Sequence, residues 1–113
     1  MSQTDERTIA VLSYLTPLGW IIAFVIHQNN VVKSPFAAFH IRQALGIYLL
    51  GLALTVIGII FSILPLIGPL TLFLARLITV VLWLFGLYYA IDRRPVEVPV
   101  VGSLFQVWFQ GIV

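Results

Sequence analysis

The stretch SPFAAFHIRQALGIYLLGLALTVIGIIFSIL, Ser34 to Leu64, decides the fold. Ser34-Pro35 is a helix-start signature: the Ser hydroxyl can accept from an orphan amide, and Pro has the right φ for a first helical position whose N–H would be unpaired anyway. From Gln43 onward the stretch carries no Asp, Glu, Lys or Arg, and Pro65, Gly68 and Pro69 follow as a short turn. A helix of about 30 residues is about 45 Å long, more than a hydrocarbon core about 30 Å thick. The spanning part is therefore 44–64. The opening, 35–43, lies at the headgroups, with Phe36 and Phe39 as anchors and His40, Arg42 and Gln43 facing water, headgroups or protein.

Composition supports a membrane setting for the whole chain. Of 113 residues, 61% are apolar and 9% charged, against about 45–50% and about 25% in a soluble domain. Mean hydropathy is +1.10. Six Lys/Arg and four Asp/Glu cannot cover a soluble domain of this size. The net charge of +2 comes from scattered basic residues, so no nucleic-acid footprint exists. The absence of cysteine removes disulfides, thiolate metal sites and cysteine nucleophiles. Residues 1–8 include Asp5 and Glu6 beside a single Arg7 and precede no small-residue cleavage site, so a cleavable signal peptide is not expected.

Two further charge-free stretches flank this helix. The first, about 9–26, holds Pro17 and Gly19 in its middle and reads as a kinked transmembrane helix, with a re-entrant segment as the alternative; Ser13 or Thr16 would help satisfy the freed carbonyls. Asn29-Asn30 then marks a polar loop. The other, about 70–91, reads as a third spanning helix closed by Asp92, Arg93, Arg94 and Pro95. Residues 103–112 are too short to span and put Ser103, Gln106 and Gln110 on one stripe, which reads as an interfacial amphipathic helix. The expected fold is a single all-α membrane domain with three transmembrane helices, the second and third an antiparallel hairpin, plus that tail helix. With three spans, Lys33, Arg42, Arg93 and Arg94 share one side, opposite Arg7. The C-terminus is expected in the cytoplasm, the N-terminus outside, and the chain in the inner membrane.

Apolar side chains gain little by leaving lipid for each other, so helix association depends on small residues and interhelical hydrogen bonds. Ala37, Ala44, Gly51, Thr55, Gly58 and Ser62 form one such seam, and Thr71, Ala75, Thr79, Gly86 and Ala90 a counterpart. Arg76 is the one fixed charge inside a span, with no acid there to pair with it. Snorkelling is one reading of Arg76; the other is contact with an anionic lipid, a partner helix or a polar pathway. Catalysis has little to work with. No carboxylate lies in an apolar stretch and neither His27 nor His40 sits in a metal-ligand or triad pattern, so no enzyme activity, cofactor or metal is expected.

The string Ser34-Pro35-Phe36-Ala37-Ala38-Phe39-His40-Ile41-Arg42-Gln43-Ala44-Leu45 after a short first span resembles small bacterial membrane proteins of unknown function related to the chloroplast inner-envelope import component. Magnetosome membrane proteins of the MamF kind look like distant members of the same group. Pro99-Val100-Val101-Gly102 is similar to the group's proline-to-glycine element after the third span. The resemblance implies a multi-pass membrane protein without assigned enzyme activity and, by analogy with the plastid branch, a component of an import or translocation-type channel. The residues themselves point first to a helix-packing or assembly module, in contact with lipid and with either itself or a larger membrane complex.

Overall fold

Thr16-Pro17 is the same signature as Ser34-Pro35, and the chain uses it in the same way. In the computed structural model, which describes residues 5–113, helix α1 (Glu6–Leu15) stops and helix α2 (Pro17–Asn29) starts afresh. Thr16 is extended, with φ −154° and ψ 163°, and its hydroxyl accepts from the Gly19 amide at 2.9 Å. The chain folds back instead of bending. A Cβ on Gly19 would lie 2.7 Å from the Leu12 carbonyl oxygen, so the two helices touch backbone to backbone. At 10 and 13 residues they are about 15 and 20 Å long, too short to cross. The single kinked span expected over 9–26 is therefore corrected to a helical hairpin, the shape that the re-entrant alternative requires. A kink requires Pro17 inside a continuing helix, whereas a capped Pro17 begins a new one.

Among the described residues, helices α3 (Pro35–Phe61) and α4 (Ile67–Ile91) are the two that are long and apolar enough to cross a membrane, two and not the expected three. Ser34 caps α3, its hydroxyl accepting from Ala37 at 3.3 Å. The connection has the expected length but lies three residues earlier: α3 ends at Phe61, α4 begins at Ile67, and Leu66 takes φ 71° to close the turn. At its far end α4 closes with the Arg94 amide on the Tyr89 carbonyl and the Arg93 amide on that of Ala90. Arg93 occupies the left-handed position of that motif at φ 57°. Helix α5 (Gly102–Trp108) is shorter than the expected 103–112.

Close approach pairs α3 with α4 in antiparallel fashion. A Cβ on Gly51 would meet Thr79 at 2.9 Å, and one on Gly58 would meet Leu72 at 2.5 Å. Ala75 is buried in the same seam. Further along, the small residues face other neighbours: Gly86 takes the ring of Tyr14 from α1, and Ala37 packs with Ile9, Ala23 and Ile41. Ser62 is exposed in the turn.

The molecule measures 55 × 22 × 22 Å, and its core lies toward one end. There α1 runs antiparallel to α4 and α2 packs along the start of α3; Ile9, Tyr14, Ala44, Ile47, Ala90 and Phe105 are buried among them. The other half is α3 and α4 alone, with Leu52, Val56, Ile59, Ile60, Leu70 and Phe73 outward. Leu18, Ile21, Ile22 and Val25 form an exposed apolar stripe on α2 at helical spacing.

The hairpin also moves the N-terminal segment. Arg93 pairs with Asp5 at 3.6 Å, the Ser34 hydroxyl donates to the Glu6 carboxylate, and Arg7 Nε donates to the Ile91 carbonyl at 2.8 Å. The expectation of an N-terminal segment opposite to the loop before α3 is corrected: Asp5 to Arg7 lie at the same end of the molecule as residues 30–34. The reading of Met1 to Thr4 lies outside the described residues.

Candidate functional site

A helix break inside an apolar run frees the last carbonyls of α1, which need partners. The expected compensators were Ser13 and Thr16, but the Ser13 hydroxyl donates to the Ala10 carbonyl, within α1. The freed oxygens are reached from the long helices. Tyr48 of α3 donates its hydroxyl to the Ser13 carbonyl at 2.8 Å, and the Trp83 indole of α4 donates to that of Tyr14. Trp20 of α2 donates to the Ile41 carbonyl at 2.9 Å. In the fold these three aromatics are hydrogen-bond donors carried on apolar bodies.

His40 is fully buried one layer outward. Its Nε2 lies 2.9 Å from the Arg94 carbonyl, which can only accept, so Nε2 carries the hydrogen. In the neutral ring Nδ1 then accepts from the Tyr14 hydroxyl at 2.7 Å. Phe36 and Phe39 meet the imidazole edge-on, with centroids 4.8 and 5.2 Å away. Phe39 is thus a half-buried packing group as well as a candidate anchor.

Gln43 is also fully buried and uses both ends of its amide. Oε1 accepts from the Val98 amide at 3.0 Å, and Nε2 donates to the Gly102 carbonyl at 2.7 Å. Val98 lies in the segment linking α4 to α5, and Gly102 is the first residue of α5. Gly102 is required there, because a Cβ would lie 2.9 Å from Gln43 Oε1. Arg42 donates to Gln106 Oε1 at 3.2 Å and to the Val113 carbonyl, while Gln106 Nε2 donates to the Phe39 carbonyl at 2.9 Å. The Phe105 ring sits over Gly46. Of the three environments open to His40, Arg42 and Gln43, protein is the one they occupy.

His27 is buried in the last turn of α2, and its Nδ1 has no hydrogen-bond partner among the described residues. Burial holds its pKa below the ordinary value, and the cations of Lys33 and Arg42 push in the same direction.

Arg76 is apart from this layer. It is exposed on α4, beside a cavity of about 300 Å³ lined by Tyr48, Gly51, Thr55, Thr79 and Val80. The Thr55 and Thr79 hydroxyls donate to the Gly51 and Ala75 carbonyls at 2.8 and 2.7 Å, each closing on its own helix. Among the described residues Arg76 makes no hydrogen bond or ion pair. No three His, Cys, Asp or Glu side chains come together among those residues.

Among the described residues these elements define an all-helical protein with two candidate membrane spans and a polar layer clasping a helical hairpin and a C-terminal segment. Residues 5–105 match the magnetosome magnetite crystal formation protein family, MamF/MmsF, and the chain belongs to that family. A curated relative, the UPF0132 membrane protein MJ1527 of Methanocaldococcus jannaschii, is 28% identical over 108 residues, covering 94% of this chain and 71% of its own length. No solved structure matches.

Proposed function

We propose that the chain is a non-enzymatic assembly module of a cytoplasmic membrane, in which the packed end is a scaffold and the bare α3/α4 half is the surface offered to other membrane segments. The observation that carries this reading is how the polar groups are used. Tyr14, His40, Gln43, Tyr48, Trp20, Trp83 and Arg42 all bond to the chain's own backbone or side chains. What remains outward on the other half is apolar surface, small-residue grooves and Arg76. Side chains bound internally hold a shape, and outward surfaces meet partners.

Orientation belongs to the same reading. Arg7, Lys33, Arg42, Arg93 and Arg94 stand at the packed end, and the 62–67 turn has no basic residue. The positive-inside rule therefore puts the packed end, with both the N-terminal segment and α5, in the cytoplasm.

Purification in mild detergent followed by native mass measurement tests the proposal. A self-associated form or a stoichiometric membrane complex supports an assembly role. A ring enclosing a wet pore supports instead the import or translocation-type reading, and a chain that is always alone contradicts both.

A further inference from the structure

We propose that the α3/α4 groove at Arg76 receives a membrane-spanning segment of a partner protein that carries a carboxylate near the middle of its span. The inference rests on the assembly reading above and specifies the partner's chemistry. Arg76 lies nine residues into α4, about 13–14 Å along the axis from Ile67. The tip beyond it, residues 59–73, contains no ionisable side chain, and only the backbone of the 62–66 turn calls for the interface there. Snorkelling toward the tip recovers only part of that distance, so a lipid phosphate would have to sink to meet the guanidinium.

The anion must come from outside the chain. No Asp or Glu occurs from Gln43 to Ile91, so a second copy brings to this level only another Arg76. The groove hydroxyls of Thr55, Thr79 and Tyr48 are already donating elsewhere, leaving the guanidinium as the uncommitted donor. Gly51 and the two Thr residues keep the adjoining cavity open at about 300 Å³. A carboxylate entering beside them can take two parallel N–H bonds from Arg76, and in low dielectric that pair is strong.

The test uses the full chain in phosphatidylcholine vesicles at alkaline pH. Labelled Leu-rich transmembrane peptides carry one central Glu or, as control, one central Gln, and association is read by energy transfer. The Glu peptide should associate about tenfold more tightly than the Gln peptide. Arg76→Gln should remove the difference. Val80→Trp, at an exposed groove position, should weaken binding of the Glu peptide with the charge intact. Both substitutions are at exposed sites, and circular dichroism should show unchanged helix content. Equal binding of the two peptides overturns the proposal, as does a preference that survives Arg76→Gln or ignores Val80→Trp. Loss of the preference when phosphatidylglycerol is added also overturns it, in favour of a lipid-phosphate site. Equal peptide binding alongside a native complex removes the groove proposal alone. A native chain that is always single removes the assembly reading, whichever way the peptides behave.

Discussion

The two halves of this molecule solve the same solvent problem differently. At the packed end, five helices and a loop converge, and fully buried His40 and Gln43 are admitted because each polar atom has a partner. In the bare half, two helices meet through Gly51 on Thr79 and Gly58 on Leu72, and the threonines close their hydroxyls onto their own helices. Lipid does not drive apolar surfaces together, so the first half depends on hydrogen bonds and the second on close approach. Chemistry that breaks one should spare the other.

The largest effect is expected at Gln43. Gln43→Leu leaves the Val98 amide and the Gly102 carbonyl without their bonds in a buried site, costing about 2–4 kcal/mol. Thermal unfolding in detergent should show the loss, and protease access to residues 95–113 should rise while the α3/α4 tip stays protected. Gly58→Leu should do the reverse. Its side chain must displace Leu72, at a cost of about 1–3 kcal/mol. Crosslinking across the tip should weaken, with the Trp83 environment, read by fluorescence, unchanged.

A smaller gain is expected in the turn. Leu66 holds φ 71° and ψ −43°, a region that suits glycine, so Leu66→Gly should stabilise the hairpin by about 1 kcal/mol. The smallest effect is that of His27. Its pKa is lowered in the folded chain, so the unfolded chain takes up the proton first as pH falls. Stability should therefore decline as pH drops below about 6.5, the ordinary value. His27→Gln should reduce that slope in melts at a series of pH values without altering the tip, the remainder belonging to His40, which burial holds down to about 4.

What was legible in the sequence was what local chemistry controls. Ser34-Pro35 marks the start of α3, and Asp92 to Pro95 the end of α4. The small residues Gly51 and Gly58 mark the side of α3 that meets α4. Thr16-Pro17 has the same cap-and-proline pattern but lies inside an apolar run, and length favoured one kinked span there. Only tertiary partners make the break tolerable: Tyr48 and Trp83, 32 and 67 residues after Thr16 in the numbering, reach the Ser13 and Tyr14 carbonyls. Nothing local in 9–26 announces those donors. The polar cluster at His40, Arg42 and Gln43 was visible as a group. Its partners were not, because the Val98 amide and the carbonyls of Arg94, Gly102 and Val113 are backbone groups that exist at every residue.

The re-entrant hairpin is the central claim, and it fixes which parts of the chain share a side. Because the natural chain has no cysteine, single replacements at Thr8, Lys33, Glu97 and Ile63 can each be labelled alone with a membrane-impermeant thiol reagent in sealed, right-side-out vesicles. The account predicts that the first three respond identically, all shielded until the vesicles are opened, and that Ile63 never matches them. Labelling of Thr8→Cys from the side opposite Lys33→Cys would mean that 9–26 crosses the bilayer, and would contradict the account.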